Sequence, residues 1–151
     1  MKRWFLSSGI ILILVVLALQ LLPYGRDHSN PSVRQEPAWD SPQTRELAAW
    51  ACFDCHSNQT VWPWYSNIAP VSWIIERDVR KGRKKLNFSE WDRPQEEADE
   101  SAESIQKGKM PPWYYPWAHL SGADREALVR GLGATVGENG GRGEEKERFR
   151  D

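Results

Sequence analysis

The sequence Cys52-Phe53-Asp54-Cys55-His56 contains both cysteines of the 151-residue chain. Two thiols at this spacing can each form a thioether with a vinyl group of one haem, and the histidine that follows is placed to bind the iron as an axial ligand. We therefore predict that Cys52 and Cys55 hold one haem c covalently and that His56 binds its iron. Because such a large, flat cofactor must be enclosed, the rest of the chain is expected to fold as its housing.

Two other uses of the cysteine pair stay open at this point. A redox dithiol usually follows a strand and begins a helix, whereas residues 46–51 before the pair look helical and residues 56–60 after it are polar. A structural zinc site needs four ligands, and the only further histidines are His28 and His119. Neither alternative fits the local sequence as well as haem.

Composition limits both the size of the protein and its partners. After an N-terminal apolar segment, the chain has room for one modest domain. Its formal net charge is −1 at pH 7, so there is no basic excess that would favour nucleic acid as a partner. The nine tryptophans suit the walls of a cofactor with apolar faces, although any one of them can equally fill a protein core.

The N-terminal segment resembles a membrane anchor. Lys2 and Arg3 precede residues 4–22, which contain no charged side chain. As a helix this run extends about 28 Å, close to the roughly 30 Å hydrocarbon core of a bilayer. We predict a single-pass transmembrane helix within residues 1–22, and a cleaved signal peptide is the alternative. The anchor is favoured because no small-x-small cleavage pattern follows the run. Either would place the haem domain at the periplasmic or other extracytoplasmic side of the cell membrane.

The remaining segments divide by composition. Residues 23–40 mix proline, serine, asparagine and charge without periodicity, so they are predicted to form a linker. His28 lies in this linker and is a poor candidate for an iron ligand, because a mobile segment would have to be ordered to hold it. The haem-binding domain is expected at residues 41–136, and a disordered, charged and glycine-rich tail at residues 137–151.

Four helices are predicted in the domain. The first begins with Ser41 as its N-cap and a proline at its first position, and it leads directly into the attachment site. The second begins at Pro70 and ends near Gly82, as its apolar spacing indicates. The third covers residues 94–107, and the fourth begins with Ser121 as its cap.

Two loops carry further candidates for the cofactor site. Trp62, Trp64 and Tyr65 lie in a proline-interrupted aromatic stretch and are predicted to contact the edge of the haem. Met110 is the only methionine besides the initiator, and two prolines that follow it exclude a helix there. A thioether on a stiff loop is well suited to be the distal iron ligand, so Met110 is predicted opposite His56, with His119 as the alternative.

Seven segments of the chain carry a further signal, namely residues 52–58, 62–73, 78–79, 82–83, 86–91, 110–112 and 119–121. Together they resemble the bacterial haem-binding domain family of small membrane-anchored proteins with a Cys-x-x-Cys-His motif. The order of the attachment motif, a Met-Pro loop and a Leu-Ser-capped last helix is also similar to class I cytochromes c. That second resemblance implies Cys52 and Cys55 as haem attachment residues, His56 as the proximal ligand and Met110 as the distal ligand.

The sequence thus predicts an all-α, cytochrome c-like domain around one covalent haem, with an N-terminal transmembrane helix. The predicted function is one-electron transfer to or from a redox partner protein, since electron transfer needs no catalytic base and none is evident. Three alternatives stay open: a haem-based ligand sensor, a peroxidase-like enzyme, for which His119 is the only candidate acid-base residue, and a thiol-disulfide oxidoreductase without haem.

Overall fold

A computed structural model describes the backbone of residues 2–148 and the side chains of residues 8–115 and 117–137. Within this described part there is no β-strand, only one isolated bridge between Gln35 and Glu90, so the predicted all-α class is confirmed. Short 3-10 turns lie at Trp64–Asn67 and Pro116–Ala118. The helices are α1 (Lys2–Leu19), α2 (Pro42–Ala51), α3 (Phe53–His56), α4 (Val71–Lys85), α5 (Ser101–Gln106) and α6 (Gly122–Arg148).

Two of the four predicted helix starts are confirmed by their capping contacts. The Ser41 hydroxyl accepts a hydrogen bond from the Thr44 amide at 3.2 Å, which satisfies one of the free donors at the start of α2. At the start of α6, the Ser121 hydroxyl accepts from the Asp124 amide at 3.1 Å. Both serines therefore act as the N-caps that the sequence predicts.

Two predicted helix boundaries are wrong. The third predicted helix corresponds to α5, which begins at Ser101 rather than at residue 94. The segment before it contacts the end of α4 instead, because the Glu97 amide donates to the Lys85 carbonyl at 3.1 Å. The second helix, α4, continues past Gly82 to Lys85. In both places tertiary contacts outweigh the local propensity of the sequence.

The core lies where α2, α3, α5 and α6 meet. Phe88, which is 1% exposed, stacks on Phe53 at a centroid distance of 5.8 Å and on Trp91 at 5.9 Å. Leu128 and Leu132 of α6 complete this cluster with the buried residues Ala48, Leu86, Ile105 and Leu120. Burial of these side chains is the main stabilising term of the domain, since a single fully buried side chain of this size contributes about 1.5–3 kcal/mol.

Gln20, which directly follows the N-terminal helix α1, contacts the domain. Gln20 donates from Nε2 to the Ala69 carbonyl and accepts from the Ala69 amide through Oε1, both at 2.9 Å. Across the described residues, every helix is too short or too polar to span a bilayer, so the predicted transmembrane helix is not confirmed. The side chains of residues 4–7, which begin the predicted span, lie outside the described part.

The segment predicted as a linker contacts the domain along its length. The Ser29 carbonyl accepts from Arg83, and the Asn30 side chain donates to the Thr60 carbonyl at 2.9 Å. Further along, the Arg34 amide donates to the Ser89 carbonyl at 2.8 Å. At the other end of the chain, the backbone of α6 continues to Arg148, but the side chains after residue 137 lie outside the described part, so the predicted disordered tail at 137–151 stays a prediction.

Candidate cofactor site

A cavity of about 290 Å³, the main cavity, opens between α3, α4, α5 and the segment 110–118. Cys52, Cys55, His56 and Met110 all line it. These are the four residues that the sequence analysis assigned to haem attachment and iron ligation, and they come from two segments more than fifty positions apart. The fold therefore brings the predicted attachment site and the predicted distal ligand to the same cavity.

The attachment segment is shaped by a break in the helix at Cys52. This residue closes α2, because its amide donates to the Ala48 carbonyl at 2.8 Å, and its own carbonyl then accepts from the amides of Cys55 and His56 at 3.1 and 2.8 Å. The result is the single turn α3, which brings both sulfurs and the imidazole to one cavity. Both cysteines are free thiols and are partly buried.

The imidazole of His56 is held in a form that can bind a metal ion. Its Nδ1 lies 3.0 Å from the Leu86 carbonyl oxygen, and because a carbonyl only accepts, Nδ1 carries the proton and donates it. Removal from water lowers the pKa of His56, against a smaller effect of the hydrogen bond to Leu86, which raises it. The side chain is therefore neutral near pH 7 and keeps a lone pair on Nε2, as in histidines whose other nitrogen is fixed by a carbonyl.

The close approach of α4 to the attachment segment depends on Gly82. A Cβ atom at this position would lie 2.4 Å from the Cys55 carbonyl oxygen and 3.4 Å from the Cys55 Cβ. No residue with a side chain fits this distance. The glycine in the Gly82-Arg83 motif thus permits contact between helix α4 and the backbone that carries the thiols.

The neighbouring Arg83 joins two segments, 29–30 and 57–60, to helix α4. Its guanidinium donates to the Ser57 carbonyl at 2.7 Å, the Ser29 carbonyl at 2.9 Å, the Asn30 side chain at 2.8 Å and the Thr60 hydroxyl at 2.9 Å. The guanidinium group can reach these acceptors together because its five N–H donors point in different directions within one plane. Burial lowers the pKa of Arg83, against a smaller opposing effect of the nearby carboxylate of Asp27.

A buried polar network joins the segment after His56 to the segment after α4. The Asn58 amide donates to the Ser89 hydroxyl at 2.9 Å, and the Asn87 side chain donates to the Asn58 side-chain oxygen at 2.9 Å. The Asn58 side chain also donates to Glu90 at 3.0 Å, which contributes to the lowered pKa of that carboxyl group. Because each buried polar group has a partner, this network fixes the attachment segment at little energetic cost.

Burial keeps the two thiols in their protonated form. Burial raises the pKa of Cys52 to about 12, and burial together with the nearby carboxylates of Asp54 and Asp78 raises the pKa of Cys55 to about 12. A redox dithiol needs a thiol pKa below its ordinary value, because the thiolate is the nucleophile. Both groups are protonated here near neutral pH.

One side of the cavity is formed by the loop that carries Met110, the predicted distal ligand, which is 38% exposed. The amides of Lys109 and Met110 both donate to the Ser104 carbonyl, at 2.9 and 3.2 Å, at the end of α5. After the two prolines, the hydroxyls of Tyr114 and Tyr115 donate to Asp78 Oδ2, at 3.2 and 3.4 Å. The loop is therefore fastened on both sides of Met110.

The predicted aromatic residues lie elsewhere than the main cavity. Trp62 stacks on His28 at a centroid distance of 4.3 Å, and Trp64 is 76% exposed. Tyr65 lines a second cavity of about 380 Å³ that shares Cys55 with the first. Neither tryptophan is among the described residues that line either cavity, so their assignment to the haem edge stays a prediction without support from this geometry.

Other aromatic residues line the main cavity and were not assigned to it from the sequence. They are Trp50, Tyr114, Tyr115 and Trp117. The signal for three of them is their place in the same stretch as Met110, only four to seven positions further on. His119, the alternative distal ligand, is exposed and does not belong to the described lining of either cavity.

The donor set and the cavity fit a haem. A neutral imidazole, a thioether and two thiols meet at a wall that also contains Phe88, Leu120 and Leu132, so a flat apolar group would be excluded from water there. The fold and this site define a small helical haem-binding protein.

The chain belongs to the haem-binding domain family, whose model matches residues 14–133. Searches of curated proteins and of solved structures found no match. The predicted membership of this family is thereby confirmed, whereas the similarity to class I cytochromes c stays a prediction.

Proposed function

We propose that the chain is a c-type haem protein that transfers single electrons, with one haem c joined covalently to Cys52 and Cys55. The observation that carries the proposal is the single cavity lined by both thiols, the neutral imidazole of His56 and the thioether of Met110. In this proposal His56 is the proximal ligand and Met110 is the distal ligand. The haem iron supplies the one-electron chemistry by changing between its ferric and ferrous states.

The residues of the chain would set how readily that electron is taken up. A thioether favours the ferrous state more than a second imidazole does. Phe88, Leu120 and Leu132 keep water from the apolar walls, and a less polar surrounding favours the less charged form of the iron centre. The bond from His56 Nδ1 to the Leu86 carbonyl fixes the orientation of the imidazole and raises its basicity.

The alternative functions are supported less well. A peroxidase-like enzyme needs a distal acid-base residue in the cavity, and His119, the candidate from sequence, is exposed. A ligand sensor requires that Met110 leave the iron readily, which binding of carbon monoxide by the reduced protein would reveal. A thiol-disulfide oxidoreductase requires reactive thiolates, and the raised pKa values of Cys52 and Cys55 oppose this.

We also propose an extracytoplasmic location at the cell membrane and a redox partner protein. The uncharged run at residues 4–22 after Lys2 and Arg3 supports export, whether the segment is kept as an anchor or cleaved as a signal. An electron carrier must exchange electrons with a donor and an acceptor, so a protein partner belongs to the same proposal.

Maturation of the full chain in a host that attaches haem c tests the cofactor assignment. The absorption spectrum reports the haem, a denaturing gel stained for haem reports covalency, and mass spectrometry reports how many haems are bound. We expect one haem that survives denaturation and that is absent from the Cys52→Ala/Cys55→Ala variant. A wild-type mass equal to that of the bare polypeptide would refute covalent attachment.

A further inference from the structure

The carboxylate of Asp78 lies at the wall of the main cavity and binds both tyrosines of the loop that carries Met110. Its side chain is only 17% exposed. Oδ2 accepts from Tyr114 and Tyr115, while Oδ1 accepts from Arg77 at 2.9 and 3.1 Å. Burial and the nearby Asp78 raise the pKa of both tyrosines, so their hydroxyls stay protonated and remain donors.

The contacts of the loop leave little freedom to the segment between its two attachments. On the α5 side, the Ser104 carbonyl holds the amides of Lys109 and Met110. On the α4 side, Asp78 holds the two tyrosine hydroxyls. The residues between these points include two successive prolines, whose rings fix φ and stiffen the backbone. The position of Met110 therefore depends on both attachments.

Helix α4 links this loop to the proximal side of the site. Asp78 and Gly82 lie one turn apart on α4, and Gly82 touches the backbone of Cys55. Asp78 thus binds the loop that carries Met110, and Gly82, one turn further along α4, contacts the segment that carries His56. The separation between the two candidate iron ligands is fixed through a single rigid helix.

We infer that Asp78 is a positioning residue that holds Met110 over the cavity through Tyr114 and Tyr115, and so keeps the sixth coordination position of the iron closed to external ligands. This inference rests on the proposed ligation by Met110. It extends that proposal from the ligand itself to the residues that control access to the iron.

The test uses the full chain with haem bound and compares wild type with Tyr114→Phe/Tyr115→Phe, which removes both hydroxyls and keeps the rings. Titration of the ferric protein with imidazole measures how easily the sixth position opens. We expect the double variant to bind imidazole at least about tenfold more tightly, which corresponds to about 1.4 kcal/mol. Its near-infrared band from thioether-ligated ferric haem should weaken, and amide hydrogen exchange in residues 113–118 should become faster.

Two further variants complete the design. Asp78→Asn keeps the shape and one acceptor oxygen but loses the charge, so it should increase imidazole affinity by a smaller factor and guards against a folding defect in the double variant. Tyr24→Phe is the matched control, because Tyr24 lies away from the cavity and contacts Trp73 through its ring, at a centroid distance of 6.0 Å. Its imidazole affinity should equal that of wild type.

The failures of the two proposals can be told apart. If Met110→Ala has the same iron spectrum as wild type, the proposed ligation is wrong and the positioning role falls with it. If Met110→Ala alters the spectrum but the double tyrosine variant binds imidazole within about twofold of wild type, Met110 remains the ligand and the role of Asp78 is overturned.

Discussion

Replacement of Gly82 by alanine tests the close contact that positions the attachment segment. The new Cβ would lie 2.4 Å from the Cys55 carbonyl oxygen, whereas Cβ contacts shorter than 3.0 Å are essentially never found, so the two backbones must separate by about 0.6 Å. The obstruction is backbone rather than a flexible side chain, and for that reason a rotamer change cannot relieve it.

The expected cost follows from two opposing effects. Overpacking of a close contact destabilises by about 1–3 kcal/mol. Alanine in a helix interior is favoured over glycine by about 1 kcal/mol, which offsets part of this cost. The difference is a net loss of about 0–2 kcal/mol in the free energy of unfolding. We expect the upper part of this range, because α4 and α3 are both held by further contacts, such as those of Arg83, and cannot separate freely.

The assay is chemical denaturation of the wild type and of each variant, followed by far-ultraviolet circular dichroism. Gly133→Ala is the matched control, since Gly133 lies inside α6 and a Cβ there meets no atom within 4 Å. This control should be stabilised by up to about 1 kcal/mol. If Gly82→Ala is stabilised to the same extent as Gly133→Ala, the contact between α4 and the Cys55 backbone does not exist as described.

Three further changes address the iron ligand, the arginine clamp and the thiols. Met110→Ala should leave haem attached but open the iron to external ligands and lower its reduction potential, measured by spectroscopic redox titration; an unchanged spectrum would refute ligation. Arg83→Lys should lower the free energy of unfolding by about 1–3 kcal/mol, because lysine cannot reach the separate acceptors, whereas Arg80→Lys, at an exposed ion pair, should change it by less than about 0.5 kcal/mol. In the haem-free protein, the folded-state pKa values of Cys52 and Cys55 are raised from 9.0 to about 12. The free energy of unfolding should therefore be constant below pH 9.0 and should fall between there and about pH 12, because the thiols ionise first in the unfolded chain. Unfolding measured across that range should show the fall, and Cys52→Ala/Cys55→Ala should lack it; equal pH profiles would contradict the burial of the thiols.

Local sequence signals predicted the parts of the structure that depend on neighbours in the chain. The Cys-x-x-Cys-His motif contains its own spacing, so the sequence predicts that Cys52, Cys55 and His56 act together, and all three line one cavity. The capping residues Ser41 and Ser121 act on amides three positions away, and they too follow from local sequence. Met110 was singled out by its rarity and by the prolines beside it.

Contacts between distant segments could not be predicted in the same way. Gly82 looked like a helix terminus, yet it lies inside α4 because another backbone passes close to it. Trp62 and Trp117 are equally aromatic in sequence, but only the second lines the main cavity. Asp78 binds Tyr114 and Tyr115, which lie 36 and 37 positions further along the chain. The spacing of residues within a helix or a strand cannot predict a contact over such a sequence separation.

The contacts of residues 29–34 affect how a shortened form of this protein should be designed for study in solution. Ser29 and Asn30 supply two of the acceptors of Arg83, and the Arg34 amide donates to the Ser89 carbonyl. A truncation at residue 41, where the helical sequence begins, would leave those groups without their partners close to the thiols. A truncation ahead of residue 26 removes α1 and retains every one of these contacts.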